Sequence, residues 1–95
     1  MKIVYLAATK ADIAWMRNYY ASVFPEGRQR ARQHFKAAEA LLLENPFIGR
    51  MTTVHAVREL VIPRTPFSFI YRVQQEQIEV LRLWDGRADR NALLP

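Results

Sequence analysis

The sequence has no cysteine. That excludes a disulfide framework and a thiolate metal site, and it suits a reducing cytoplasm. No stretch approaches the roughly 20 apolar residues that a membrane span requires. The opening "MKIVYLAATKAD" is too short in its apolar run, and charged too soon, to read as a signal peptide. No His, Asp or Glu spacing suggests a metal, and nothing in the chain implies a cofactor. Internal repeats, low-complexity tracts and linkers are also missing, so residues 1–95 read as one domain. Lysine is scarce: Lys2, Lys10 and Lys36 are the only three, and every other base is arginine.

What is present is a core and a charge. A hydrophobic fraction of 51% with 12% aromatics is enough for the modest core of a short domain. The net charge of +5 points to nucleic acid or an acidic protein as partner, provided the bases cluster. Arginine offers a planar fork of donors that fits phosphate or carboxylate, whereas lysine is a hydrated point charge.

The periodicity sets the order of elements. "KIVYLA" has the β-branched and aromatic content of a short strand. Thr9 as N-cap with Asp12 in the first turn predicts a helix start, and Ile13, Met16, Tyr20 and Phe24 then recur at helical spacing until Pro25 stops them. A second helix is predicted from about Glu26 to Glu44, with Ala31, Phe35, Ala38 and Leu42 on its buried face and Asn45-Pro46 ending it. Arg28, Arg30 and Arg32 lie near its start, against the preference of the helix dipole. The few residues between the helices predict an antiparallel hairpin.

From Pro46 onwards the period becomes two. "FIGRMTTVHA" reads as loop, and "VRELVI", "FSFIYRV" and "QIEVLRLW" as three strands in an antiparallel meander, turning at "PRTP" and "QQEQ". Phe67, Phe69, Tyr71 and Val73 share the face expected to meet the helices, opposite Ser68, Ile70 and Arg72. Alternation places Arg82 with Ile78, Val80 and Trp84. The fold class is therefore α+β, in the order β-α-α-β-β-β, with a helical hairpin on one face of a small, mainly antiparallel sheet and little to cover the other face or part of it. Arg58, Arg72 and Arg82 either converge there as a concave anion site or stand as separate surface residues.

Four linked motifs carry a resemblance. Asn45-Pro46 with Gly49-Arg50, Arg58-Glu59-Leu60, Tyr71-Arg72-Val73, and the closing "IEVLRLWDGRADR" with Gly86-Arg87 resemble, in order and spacing, the RelE/ParE superfamily of type II toxin-antitoxin toxins. The resemblance spans essentially the whole chain and implies one of two activities. RelE-like members cleave messenger RNA in the ribosomal A site, and ParE-like members poison DNA gyrase. It also implies a cognate antitoxin with an acidic segment that folds as it binds.

Cleavage requires a base, positive charge at the phosphate and an acid. Arg58, Arg72, Arg82 and Arg87 are the candidate charges, and Glu59 or His55 the candidate base. Many relatives carry histidine just before the closing Gly-Arg pair, where this chain has Asp85. A free aspartate has a pKa of about 3.9, and beside Arg82 and Arg87 it falls rather than rises. Asp85 is therefore expected to accept a hydrogen bond from Arg87 or a turn amide rather than to give up a proton. His34 reads as a packed or partly exposed helix residue. These features favour the ParE-like branch, a gyrase inhibitor rather than a nuclease. Its expected partner contacts are Trp15, Tyr19, Arg50, Arg58, Trp84 and Arg87. Trp84 is also open to a base-stacking role or a place in the core.

Overall fold

A computed structural model describes residues 1–87; Ala88, Asp89 and Arg90 of the closing motif lie outside them. The elements are β1 (Lys2–Tyr5), α1 (Thr9–Asn18), a π turn (Tyr19–Val23), a 3-10 turn (Pro25–Gly27), α2 (Arg28–Glu44), β2 (Arg50–Met51), β3 (Arg58–Val61), β4 (Phe67–Gln74) and β5 (Gln77–Asp85). The strands form one sheet in the order β1-β5-β4-β3-β2. β1 runs parallel to β5, with Lys2 opposite Gln77 and Tyr5 opposite Val80. The other pairings are antiparallel, so the sheet is mixed with a single parallel edge.

The helical stripe ends where the proline dictates. The last residues of the first helix widen into the π turn, and Phe24, which precedes Pro25, leaves it outside the helical region with φ −141°. Thr9 does not cap the helix. It lies within it, and its hydroxyl donates back to the Leu6 carbonyl at 2.6 Å. The second helix starts two residues later than expected, because Pro25–Gly27 tightens into 3-10 geometry first. The stretch read as loop also contains the two-residue strand β2, which pairs Arg50 with Glu59 and Met51 with Arg58.

The main core lies between hairpin and sheet: Tyr20, Ala38 and Leu42 from the helical side meet Phe67, Phe69, Tyr71, Ile78, Val80 and Leu83. This is the aromatic face that alternation along β4 predicts. The opposite face is covered in part. The turn between β2 and β3 folds over it, and Val57, Ile70 and Trp84 bury one another with Val54 and Leu81 at the margin.

Arg82 also departs from simple alternation. Pairing runs Ile70 with Arg82 and then Tyr71 with Val80, so Leu81 is an extra residue in β5. A bulge of this kind moves every later side chain to the other face. Ile78 and Val80 point to the helices, whereas Arg82 stays with Ile70 and Trp84, and Leu83 returns to the main core.

Candidate functional site

β5 extends beyond the end of β1, so on that edge its last residues meet α1, while their other edge stays paired with β4. Asp12 fills this gap. Its carboxylate accepts Arg82 Nε and Nη2, each at 2.8 Å, and the Leu83 amide at 2.9 Å. It thus satisfies an edge amide that β1 is too short to reach. The Arg82 guanidinium also lies 5.6 Å from the Trp84 ring centre.

The end of the strand is a clasp around Asp85. The carboxylate accepts the Arg87 amide at 3.0 Å, Arg87 Nε at 2.9 Å and Nη2 at 2.7 Å, and Trp15 Nε1 at 3.0 Å. Arg87 in turn stacks 4.4 Å from the centre of the Tyr19 ring. Hydrogen bonds from Arg87 first, and then from Trp15, hold the Asp85 pKa down at about 2 against an ordinary 3.8, outweighing the opposing effect of burial. Asp85 is an ionised acceptor at neutral pH, and both donors foreseen for it, the arginine and the turn amide, are present.

The remaining candidates are dispersed. Arg58 donates through Nη1 to the carbonyls of Phe47 at 3.1 Å and Gly49 at 2.9 Å, with Phe47 stacked beneath it at 5.3 Å. It fastens the loop that leaves α2. Gly49 completes that fastening: its amide donates to the Tyr71 hydroxyl at 2.9 Å, and a Cβ there would lie 2.6 Å from that same oxygen. The "NPFIGR" motif therefore places a loop flat against a buried tyrosine. Glu59, with its side chain 1% exposed, accepts Arg50 Nη2 at 2.6 Å. Arg72 pairs with Glu79 at 2.7 Å, across the β4–β5 ladder. His55 is exposed in the turn before β3.

Arg58, Arg72 and Arg82 therefore do not converge; each is held by its own acceptors. Trp84 is 6% exposed and belongs to the second core cluster. Trp15 is 60% exposed, and Tyr19 packs at the edge of the main core. Asp12, read from sequence only as a first-turn acid, is the residue that ties α1 to the sheet. Its distance of 70 positions from Arg82 hid the pairing. Among the described residues no cluster of His, Asp or Glu suits a metal, and no helix is long and apolar enough to cross a membrane.

One strand, a helical hairpin and then the rest of a mixed five-stranded sheet make an α+β fold consistent with the RelE/ParE-like class. The family model described as "ParE toxin of type II toxin-antitoxin system, parDE" matches residues 3–90, and the chain belongs to that family. It is similar to a solved chain of the chromosomal ParDE toxin-antitoxin system from P. aeruginosa. The two are 29% identical, the match covers 87% of this chain and 92% of that one, and the TM-score is 0.69. No curated protein matches.

Proposed function

We propose that the chain inhibits DNA gyrase and is neutralised by a cognate acidic antitoxin, and that the end of β5 grips a partner rather than cutting RNA. The observation that carries this reading is Asp85, held at about 2 by Arg87 and Trp15. A group that has lost its proton so far below neutrality cannot protonate a leaving oxygen. Glu59, the acid nearest to Arg58 in sequence, is sequestered by Arg50. The exposed members of the clasp, Trp15 and Arg87, with Tyr19 beside them, form the gripping surface. Arg50 and Arg58 extend the partner contacts along the β2–β3 edge. Membership of the ParE toxin family supports both halves of the reading.

The test is purified protein in gyrase supercoiling and cleavage assays, run beside a translation assay on messenger RNA. Micromolar inhibition of supercoiling with intact transcripts is the expected result. Codon-linked transcript cuts that disappear in Arg58→Ala or Arg82→Ala, without gyrase inhibition, would make the chain a ribosome-dependent nuclease. If overexpression alone leaves growth unaffected, the chain is a non-toxic binding module.

A further inference from the structure

Four bases and no acid stand between Gly27 and Ala38, in the N-terminal part of α2. Among the described residues the ion pairs are those of Arg50, Arg72, Arg82 and Arg87, and none involves these bases. The first turn of the helix holds no acid, and positive charge there opposes the dipole, so the fold gains little from them.

A helix turns once in about 3.6 residues, which sets where each base points. Ala38 and Leu42 are buried, so Gln29, Gln33 and Lys36 lie on the opposite, outward face, with Ala37 and Ala40 among them. Arg28 and Arg32 stand on one flank of this face and Arg30 on the other, all three exposed. Arg17 of α1 extends the first flank, where with Arg28 and Arg32 it rims the open, apolar groove of about 650 Å3 between the helices. The depression along the outward face is lined by a single acid, Glu26, in the turn before the helix.

A basic stripe along a helix is the electrostatic footprint of nucleic acid. A protein interface is centred on apolar anchors, and no exposed side chain from Arg28 to Ala40 is apolar beyond alanine. Single strands are held on aromatic stacking platforms, and none of these exposed residues is aromatic. The major groove of A-form RNA is too deep and narrow for side chains to read, whereas that of B-DNA, about 12 Å wide, admits a helix. Bases on both flanks of a polar centre match a groove walled on each side by a phosphate strand. Arginine and lysine hold phosphates, and glutamine can reach the edge of adenine with two hydrogen bonds. The amides at the start of α2 have no side-chain cap, and their positive dipole end adds to the attraction.

We infer that the N-terminal half of α2 is a binding site for duplex DNA. It enters the major groove with Gln29 and Gln33 towards the base edges, Arg28 and Arg32 on one phosphate strand and Arg30 on the other. Whether gyrase is the target does not bear on this contact, which is measured without gyrase.

The experiment titrates a fluorescent DNA duplex of about 20 base pairs with the full chain, read by anisotropy between about 50 and 200 mM salt. Log affinity should fall linearly with log salt, with a slope of about −4.5 if Arg17, Arg28, Arg30, Arg32 and Lys36 each neutralise a phosphate. The triple variant Arg28→Gln/Arg30→Gln/Arg32→Gln should bind at least about tenfold more weakly, with a slope shallower by about 2.7. Arg30→Gln alone should make it shallower by about 0.9. Arg64→Gln removes an equally exposed charge from the turn between β3 and β4 and should leave the slope unchanged. A dye that fills the major groove should displace the chain, and a minor-groove dye should not. Wild-type affinity and slope in the triple variant overturn the inference, as does the absence of binding at 50 mM salt. So does binding to an RNA duplex or a single DNA strand as tight as to the DNA duplex. Displacement by polyglutamate at equal charge concentration would make the surface a receptor for acidic protein and overturns it too.

Discussion

The sheet and the hairpin carry the same kind of charge in opposite circumstances. On the sheet, Arg50, Arg72, Arg82 and Arg87 each hold a carboxylate at 2.6–2.8 Å, and all four of those carboxylates come from residues at most 9% exposed, Asp12, Glu59, Glu79 and Asp85. On the hairpin, Arg17, Arg28, Arg32 and Lys36 face solvent around an apolar groove, unpaired among the described residues. The pairs cancel, so the net charge of +5 resides in the other groups. A buried ion pair holds a structure in register, whereas steering and capture of a partner depend on charge that remains unspent. Counting bases along the sequence locates the first kind as readily as the second.

The largest effect that would break this contrast is at Asp12. Asp12→Ala leaves the Arg82 guanidinium unpaired and the Leu83 amide without an acceptor. Removing one member of a mostly buried pair should lower stability by about 3 kcal/mol, read as a lower urea midpoint. A loss below about 0.5 kcal/mol would put Arg82 in the same class as the hairpin bases, since that is the scale of exposed pairs.

A smaller effect follows from Asp85, and it depends on pH. The folded pKa of about 2 lies below the ordinary 3.8. The unfolded state therefore takes up a proton first, and the clasp's contribution is complete above about 3.8 and lost as pH falls through about 2. Arg87 is half exposed, so screening limits that contribution to about 1 kcal/mol. Asp85→Asn should lower stability at neutral pH by this amount and flatten its decline between pH 4 and 2. A variant with the wild-type acid profile would show that the clasp does not persist in solution.

These residues also mark what the sequence made legible. The period-two pattern of Phe67, Phe69 and Tyr71 identified the core face because burial and alternation agree there. Asp85 was readable because Arg87, the source of three of its four hydrogen bonds, lies two residues away, whereas the bond from Trp15 spans 70 positions and was not foreseen. Arg82 was not, since a bulge at Leu81 changes the face of everything after it and leaves no local mark. Asp12 was hidden by distance along the chain. Arg28 and Arg32 were visible as helix residues opposed to the dipole, but the helical pattern alone did not show that they rim the cavity beside the hairpin.

The smallest effect is the sharpest test of the contrast, because its sign reverses. Arg28 opens α2, where the uncapped backbone amides favour negative charge, and no side chain caps them. Arg28→Glu removes an unfavourable charge and supplies a favourable one, so the fold should gain about 0.5 kcal/mol, visible as a raised urea midpoint. A residue whose replacement strengthens the fold is one the fold does not require. If Arg28→Glu instead destabilises the chain, this arginine serves the structure as those of the sheet do, and the division between spent and unspent charge falls at its most exposed point.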